Sequence, residues 1–157
     1  RFEWRLAGDG SLRAELEAAV ARLDLSDEVV FCGFVSDIPK FLAGIDLFVL
    51  PALAEGLGVS VLEAMAAAKA VVASDVGGLS ELIMDPACGF RVPPGDAKAL
   101  AAAIGKLLRE PSLARVMGRR GAQHVVEHFT LDRMAAKNEE YYYFLIDSRT
   151  RPDGNSK

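Results

Sequence analysis

Leu47-Phe48-Val49-Leu50-Pro51-Ala52-Leu53-Ala54-Glu55-Gly56-Leu57-Gly58-Val59-Ser60-Val61-Leu62-Glu63-Ala64-Met65-Ala66 runs through a short apolar segment, a loop with two glycines and a second, longer periodic segment. Four consecutive apolar residues read as a buried strand, and the segment opened by Gly58 reads as a helix to Ala67. Strand, loop and helix in that order are the unit of a parallel α/β sheet. The first-turn amides of such a helix, with the positive end of its dipole, form an anion site, and a phosphate is the natural occupant. Gly56 and Gly58 allow the backbone to come close to a ligand. Ser60 adds a hydroxyl to the same turn.

Glu63 falls about 6–7 Å along the helix axis from that turn, at 1.5 Å per residue. This is about the reach from a diphosphate to the ribose joined to it, and a carboxylate there can accept hydrogen bonds from both ribose hydroxyls. Glu55 stands in the loop, on the strand-end side, where it could meet sugar hydroxyls or a positive charge developing at an anomeric carbon. Taken singly, Glu55 also reads as a solvated loop carboxylate. Glu63 also reads as an exposed helical residue or a partner for Lys69.

Outward from this stretch, further strands are expected at Phe2–Ala7, Val29–Cys32, Val71–Ala73 and Phe90–Val92, each buried on both faces. Helices are expected between them. Ser11 can cap one to about Leu23, with Leu12, Leu16, Ala19, Val20 and Leu23 on one face. Ser36 or Asp37 can cap a short one through Leu42. Ser80 starts a short one at Glu81–Ile83. Asp96 caps another, with Leu100, Ile104 and Leu107 on one face. Pro111 suits the first turn of the next, to His128, and Thr130 can cap a last helix. The fold class is therefore α/β, a Rossmann-like doubly wound parallel sheet, whose ligands bind at the carboxyl ends of the strands. One domain over residues 1–146 is expected, with its last helix at about 130–146 and a disordered tail at 147–157.

The chain has 157 residues, 18 basic and 22 acidic, for a net charge of −4. That balance does not suggest a nucleic-acid partner, and there is no polybasic run for an anionic membrane. No apolar run reaches the roughly 18 residues a membrane span needs. Cys32 and Cys88 each sit in an apolar stretch, read as buried thiols in a reducing compartment. The opening Arg1-Phe2-Glu3-Trp4-Arg5 is no signal peptide, and its lack of Met is read as the mark of a fragment or a processed chain.

The segment Glu55-Gly-Leu-Gly-Val-Ser-Val-Leu-Glu63-Ala-Met-Ala, followed by Ala70-Val-Val-Ala-Ser-Asp-Val-Gly77-Gly78 and Glu81, closely resembles the retaining GT-B glycosyltransferases of the large family four. Ala7-Gly8-Asp9-Gly10, Phe31-Cys-Gly33-Phe34-Val35 and Asp46-Leu-Phe-Val-Leu-Pro51 match as well. The resemblance implies the C-terminal, donor-binding half of a GT-B fold. It implies that Glu63 holds the donor ribose and that Glu55, the catalytic candidate, contacts the transferred sugar. Gly56, Leu57, Gly58, Val59 and Ser60 would line the diphosphate and nearby hydroxyls. Phe34 and Val35 would receive the base, and Gly77 and Gly78 would shape the pocket behind the helix. The substrate implied is a nucleoside-diphosphate sugar, with no cofactor and no divalent cation.

Two departures stand out. The family usually carries Gly-x-Pro where this chain has Ala68-Lys69-Ala70, read as a turn variant without catalytic meaning. Members also carry an Arg and a Lys after an earlier strand of the same domain, and no such strand precedes Phe2. The acceptor-binding N-terminal GT-B domain is absent from the sequence as well, so the isolated chain is expected to be inactive. Its setting is expected to be cytoplasmic, reaching the inner face of a membrane only through that domain.

Other motifs read as structural. Gly8-Asp9-Gly10-Ser11 begins like a dinucleotide fingerprint but lacks the third glycine and a later acidic residue. His124 and His128 have a metal-binding spacing without a third ligand in register. Tyr141-Tyr142-Tyr143-Phe144 would pack on the absent domain or on this domain's own sheet. The expected function is transfer of a hexosyl group from a nucleoside-diphosphate sugar to an acceptor hydroxyl. The alternative is a non-catalytic nucleotide-sugar-binding module.

Overall fold

The computed structural model describes residues 2–84 and 86–150, with side-chain environments described through Ser148. Strands and helices alternate: β1 (Trp4–Ala7), α1 (Arg13–Arg22), β2 (Val29–Gly33), α2 (Ile38–Ala43), β3 (Leu47–Leu50), α3 (Val59–Ala66), β4 (Ala70–Ser74), α4 (Leu79–Leu82) and β5 (Gly89–Val92). Three helices follow, α5 (Ala97–Arg109), α6 (Pro111–His128) and α7 (Leu131–Thr150). Every strand pairing is parallel: β1 with β2, β3 with β4, and β4 with β5. The α/β class read from the sequence is the fold observed. The chain divides into two compact units, one up to Gly44 and one from Ile45 onward.

In the first unit, β1 and β2 form a two-stranded sheet. The expected burial does not hold here. Along β1, Trp4 and Leu6 are half-buried while Arg5 and Ala7 are exposed. In α1 only Ala19 and Val20 of the expected face are half-buried, and Leu12, Leu16 and Leu23 are exposed. Within this unit two strands offer too little surface to cover a helix face. Ser11 does not cap α1 either: the N-cap is Leu12, without a side-chain hydrogen bond. Asp37 does cap α2, accepting from the Lys40 amide at 3.0 Å.

The second unit is built on β4, the middle strand of the order β3-β4-β5 and the one strand buried at all five positions. Around it pack Val61, Ala64 and Met65 of α3, Leu79 and Leu82 of α4, and Leu107 and Met117 of α5 and α6. The predicted face of α5 is the one used, since Leu100 and Ile104 pack on the same core as Leu107. Asp96 and Thr130 cap as expected, accepting from the amides of Ala99 at 2.9 Å and Arg133 at 3.3 Å. Pro111 occupies the first turn of α6. Ser80 does not start α4; the N-cap is Gly78, and the Ser80 hydroxyl donates back to the Gly77 carbonyl at 2.7 Å. The last helix runs through Thr150, beyond the expected end at 146, because no Gly or Pro interrupts residues 131–150. The rest of the expected tail, 151–157, lies outside the described residues.

Close backbone contact explains one glycine inside α6: a Cβ on Gly118 would lie 2.1 Å from the Ala68 carbonyl oxygen. Gly121 faces Cys88 and Met65 at distances where a Cβ would make ordinary contact. Through Gly118 the helix lies directly on the turn that joins α3 to β4. Ala68 in that turn has φ of 57°, a left-handed conformation that costs a non-glycine residue about 1–2 kcal/mol. Ala68→Gly should therefore raise stability by about 0.5–1 kcal/mol, after the entropy cost of glycine in the unfolded chain is counted. Urea unfolding measures it, and a lowered midpoint would refute the strain.

His124 on α6 is 8% exposed, and both its ring nitrogens are buried without a partner among the described residues. The rings of His128 and Phe129 lie 4.8 and 5.3 Å from it, centroid to centroid. Burial, and then the neighbouring His128, push the His124 pKa below the ordinary 6.5, against a smaller upward pull from Glu127. Between that lowered value and 6.5 the unfolded chain binds more protons than the folded one. Stability is thus fully present above 6.5 and declines as pH falls through the window. His124→Leu should flatten this acid-side decline relative to the wild type, as read from thermal midpoints between pH 7 and pH 5.

Candidate functional site

β3 and β4 lie side by side and parallel, with Leu50 opposite Ala73, so the loops that leave their carboxyl ends are neighbours. The first loop runs from Pro51 to Gly58 and delivers α3. The second runs from Asp75 to Gly78 and delivers α4. Their backbones touch: the Gly78 amide donates to the Gly56 carbonyl at 2.9 Å. A Cβ on Gly77 would fall 1.9 Å from the Glu55 carbonyl oxygen, and one on Gly78 would fall 2.3 Å from that of Gly56. Only glycine fits either position without displacing the first loop.

Gly58 is the N-cap of α3, with φ of 77° and ψ of 49°. This left-handed turn directs the chain into the helix, and a Cβ there would strike Leu79 at 2.4 Å. The Val61 and Leu62 amides donate to the Gly58 carbonyl. Those of Val59 and Ser60 have no protein partner among the described residues, and both residues are exposed. Open amides at a helix start, with the positive end of the helix dipole, can serve as donors to an anion. Val59, Ser60, Glu63 and Ala67 share the exposed face of α3, while Val61, Ala64 and Met65 face the core. Glu63 forms no ion pair with Lys69 or any other described residue.

Glu55 stands in the loop before the helix, as read from the sequence. Its half-buried carboxylate folds back on its own loop, where Oε1 accepts from the Gly56 amide at 3.0 Å and the Gly58 amide at 3.3 Å. It is thus the internal cap of the loop, and the amides of Leu57, Val59 and Ser60 are left without a protein partner among the described residues. The cause is geometric: the left-handed Gly58 turns two loop amides inward, and the carboxylate three residues earlier is the acceptor within reach.

The structure gathers Glu55, Gly56, Leu57, Gly58, Val59, Ser60 and Glu63 on one strand-loop-helix unit. Phe34 and Val35 belong to the first unit, where they follow β2; Phe34 is 85% exposed and Val35 half-buried. Beside the loops, a cavity of about 150 Å³ opens at the carboxyl ends of β3, β4 and β5, walled by Pro51, Leu53, Ser74, Val92, Pro93 and Leu100. No group of three or more potential metal ligands occurs among the described residues. No helix among them is long and apolar enough to cross a membrane.

Parallel α/β pairing with an open helix start at the strand ends marks a domain of the Rossmann-like class. The chain belongs to the glycosyl transferases group 1, whose family model matches residues 1–110. It is 37% identical over 156 residues to the lipopolysaccharide core biosynthesis mannosyltransferase LpcC of Rhizobium leguminosarum bv. viciae, covering 94% of this chain and 44% of that protein. Anabaena Alr3699/HepE, solved in complex with UDP, superimposes with a TM-score of 0.85 at 27% identity, over 90% of this chain and 41% of that one. The C-terminal domain of a group 1 family protein (LpcC) from Francisella tularensis gives a TM-score of 0.71 at 28% identity, over 76% of this chain and 63% of that one. The fold is thus the C-terminal half of a GT-B architecture. The chain spans about two-fifths of the length of the curated relatives it matches.

Glu55→Ala should leave the fold intact but release the Gly58 amide. Its hydrogen exchange should speed up by about 5-fold or more, as expected when a charge-assisted bond of about 1 kcal/mol is lost. Unchanged exchange at Gly58 would show that the carboxylate does not cap the loop.

Proposed function

We propose that this chain is the donor-binding part of a retaining glycosyltransferase, which moves a hexosyl group from a nucleoside-diphosphate sugar to an acceptor hydroxyl. The observation that carries this reading is the helix start at Val59 and Ser60, with its partnerless amides and Glu63 one turn further along the same exposed face. In it the two amides, the helix dipole and the Ser60 hydroxyl hold the diphosphate, and Glu63 accepts hydrogen bonds from the ribose. As the bond to the anomeric carbon breaks, negative charge grows on the leaving diphosphate, where the preset amides stabilise it. No divalent cation takes part in this scheme. Glu55 keeps the loop in shape through Oε1, and in this reading its other carboxylate oxygen meets the transferred sugar. UDP in Alr3699/HepE and the mannosyl transfer named for the Rhizobium relative support the donor class.

The acceptor is held by a further, N-terminal GT-B domain. α7 supports that partner: every one of its residues from Leu131 to Ser148 is exposed, including Tyr141, Tyr142, Tyr143, Phe144 and Ile146. It does not pack on its own sheet, and such an aromatic face suits burial on another domain. Closure of the two domains would shield the donor from water. In this reading the reaction takes place in the cytoplasm.

Calorimetric titration with UDP, GDP and ADP tests the reading. One of them should bind, and Glu63→Ala should weaken it by about 1–3 kcal/mol, the cost of losing charged hydrogen bonds. The isolated chain should transfer no sugar, and Glu55→Gln in a protein with both domains should lower turnover more than nucleotide affinity. Unaltered affinity in Glu63→Ala would remove that residue from the site.

A further inference from the structure

We propose that Arg91 is a positioning residue for the donor site: from β5 it anchors the Asp75–Ser80 segment, which in turn sets the Glu55–Gly58 loop. The proposal rests on the donor-site reading above. Arg91 and Val92 close the carboxyl end of β5, next to the point where β4 gives way to the second loop. The guanidinium Nη1 of Arg91 donates to Asp75 Oδ1 at 2.9 Å and to the Ser80 carbonyl at 3.3 Å. Those two acceptors bracket the segment, one at its first residue and one just inside α4. A backbone bond from the Asp75 amide to the Val92 carbonyl, at 2.8 Å, ties the same end.

Between the two anchored points lie Gly77 and Gly78, whose contacts with Glu55 and Gly56 leave no room for a Cβ. Leu79 follows and fills the space beside Gly58, the cap of α3. A shift of the anchored segment is therefore passed to the first loop through the backbone contacts of Gly77 and Gly78, and to the capping glycine through the Leu79 side chain that abuts it. Arg91 touches no residue assigned to the ligand. Its side chain is 27% exposed and that of Asp75 is 47% exposed, so the ion pair is screened and its effect is modest. Both contacts come from a single nitrogen, and Nε is buried without a partner among the described residues. One ammonium can replace that nitrogen, so a lysine should serve where an apolar residue cannot.

The test uses the full chain and whichever of UDP, GDP and ADP the wild type binds. Arg91→Leu and the near-isosteric Asp75→Asn should each weaken that nucleotide by about 5-fold, the scale of one partly exposed ion pair. Arg91→Lys should stay within about 2-fold of the wild type. Stoichiometry per folded chain should be unchanged throughout, which separates a misplaced site from loss of folded protein. If Arg91→Leu fails to fold, Asp75→Asn and Arg91→Lys carry the same test. Equal affinity in the wild type and Asp75→Asn, or failure of Arg91→Lys to restore it, overturns the positioning role. A wild type that binds none of the three nucleotides overturns the donor-site reading itself.

Discussion

The contact between the two loops at the ends of β3 and β4 is the constraint on which the site depends. Glycines at 77 and 78 bring one backbone against the carbonyls of Glu55 and Gly56, and a third at 58 admits Leu79. The contacts of Gly77 and Gly78 contain no side-chain rotamers, so they have little freedom to adjust. They hold the capping turn of α3 in its left-handed form and leave two amides facing outward. An anion-binding helix start is useful only if its donors are already in place, since reorganisation during reaction would cost the stabilisation it supplies.

Rigidity behind that turn comes from the core. β4 is buried along its whole length, and α6 lies close against the α3–β4 turn through Gly118. The functional helix is therefore clamped from behind while its outer face stays open. The clamp carries a local cost, the left-handed Ala68, at the position where the family usually has glycine. Loss of glycine there affects the turn rather than the chemistry, because Ala68 lies at the far end of α3 from Gly58.

Much of this was legible in the sequence. Strand and helix order followed from short apolar runs alternating with periodic stretches. Asp37, Asp96, Thr130 and Pro111 marked helix starts through local hydrogen bonding and fixed φ, which involve only neighbours in the chain. Ser11 failed as a cap for the same local reason: the chain entered α1 one residue later. The exposed face of α1 was misread because periodicity reports which residues could be buried together, not whether anything covers them.

The chain's own residues, read in order, determined the α/β class and the glycine loop before α3, since each depends on spacing along the backbone. Only the tertiary structure decided where the Glu55 carboxylate goes, why Gly118 stands inside a helix, and that Arg91 reaches Asp75 and Ser80. Those facts arise from contacts between segments far apart in sequence, where a few tenths of an ångström separate a fit from a clash. Distances of that kind are set by how the elements pack, and no local pattern encodes them.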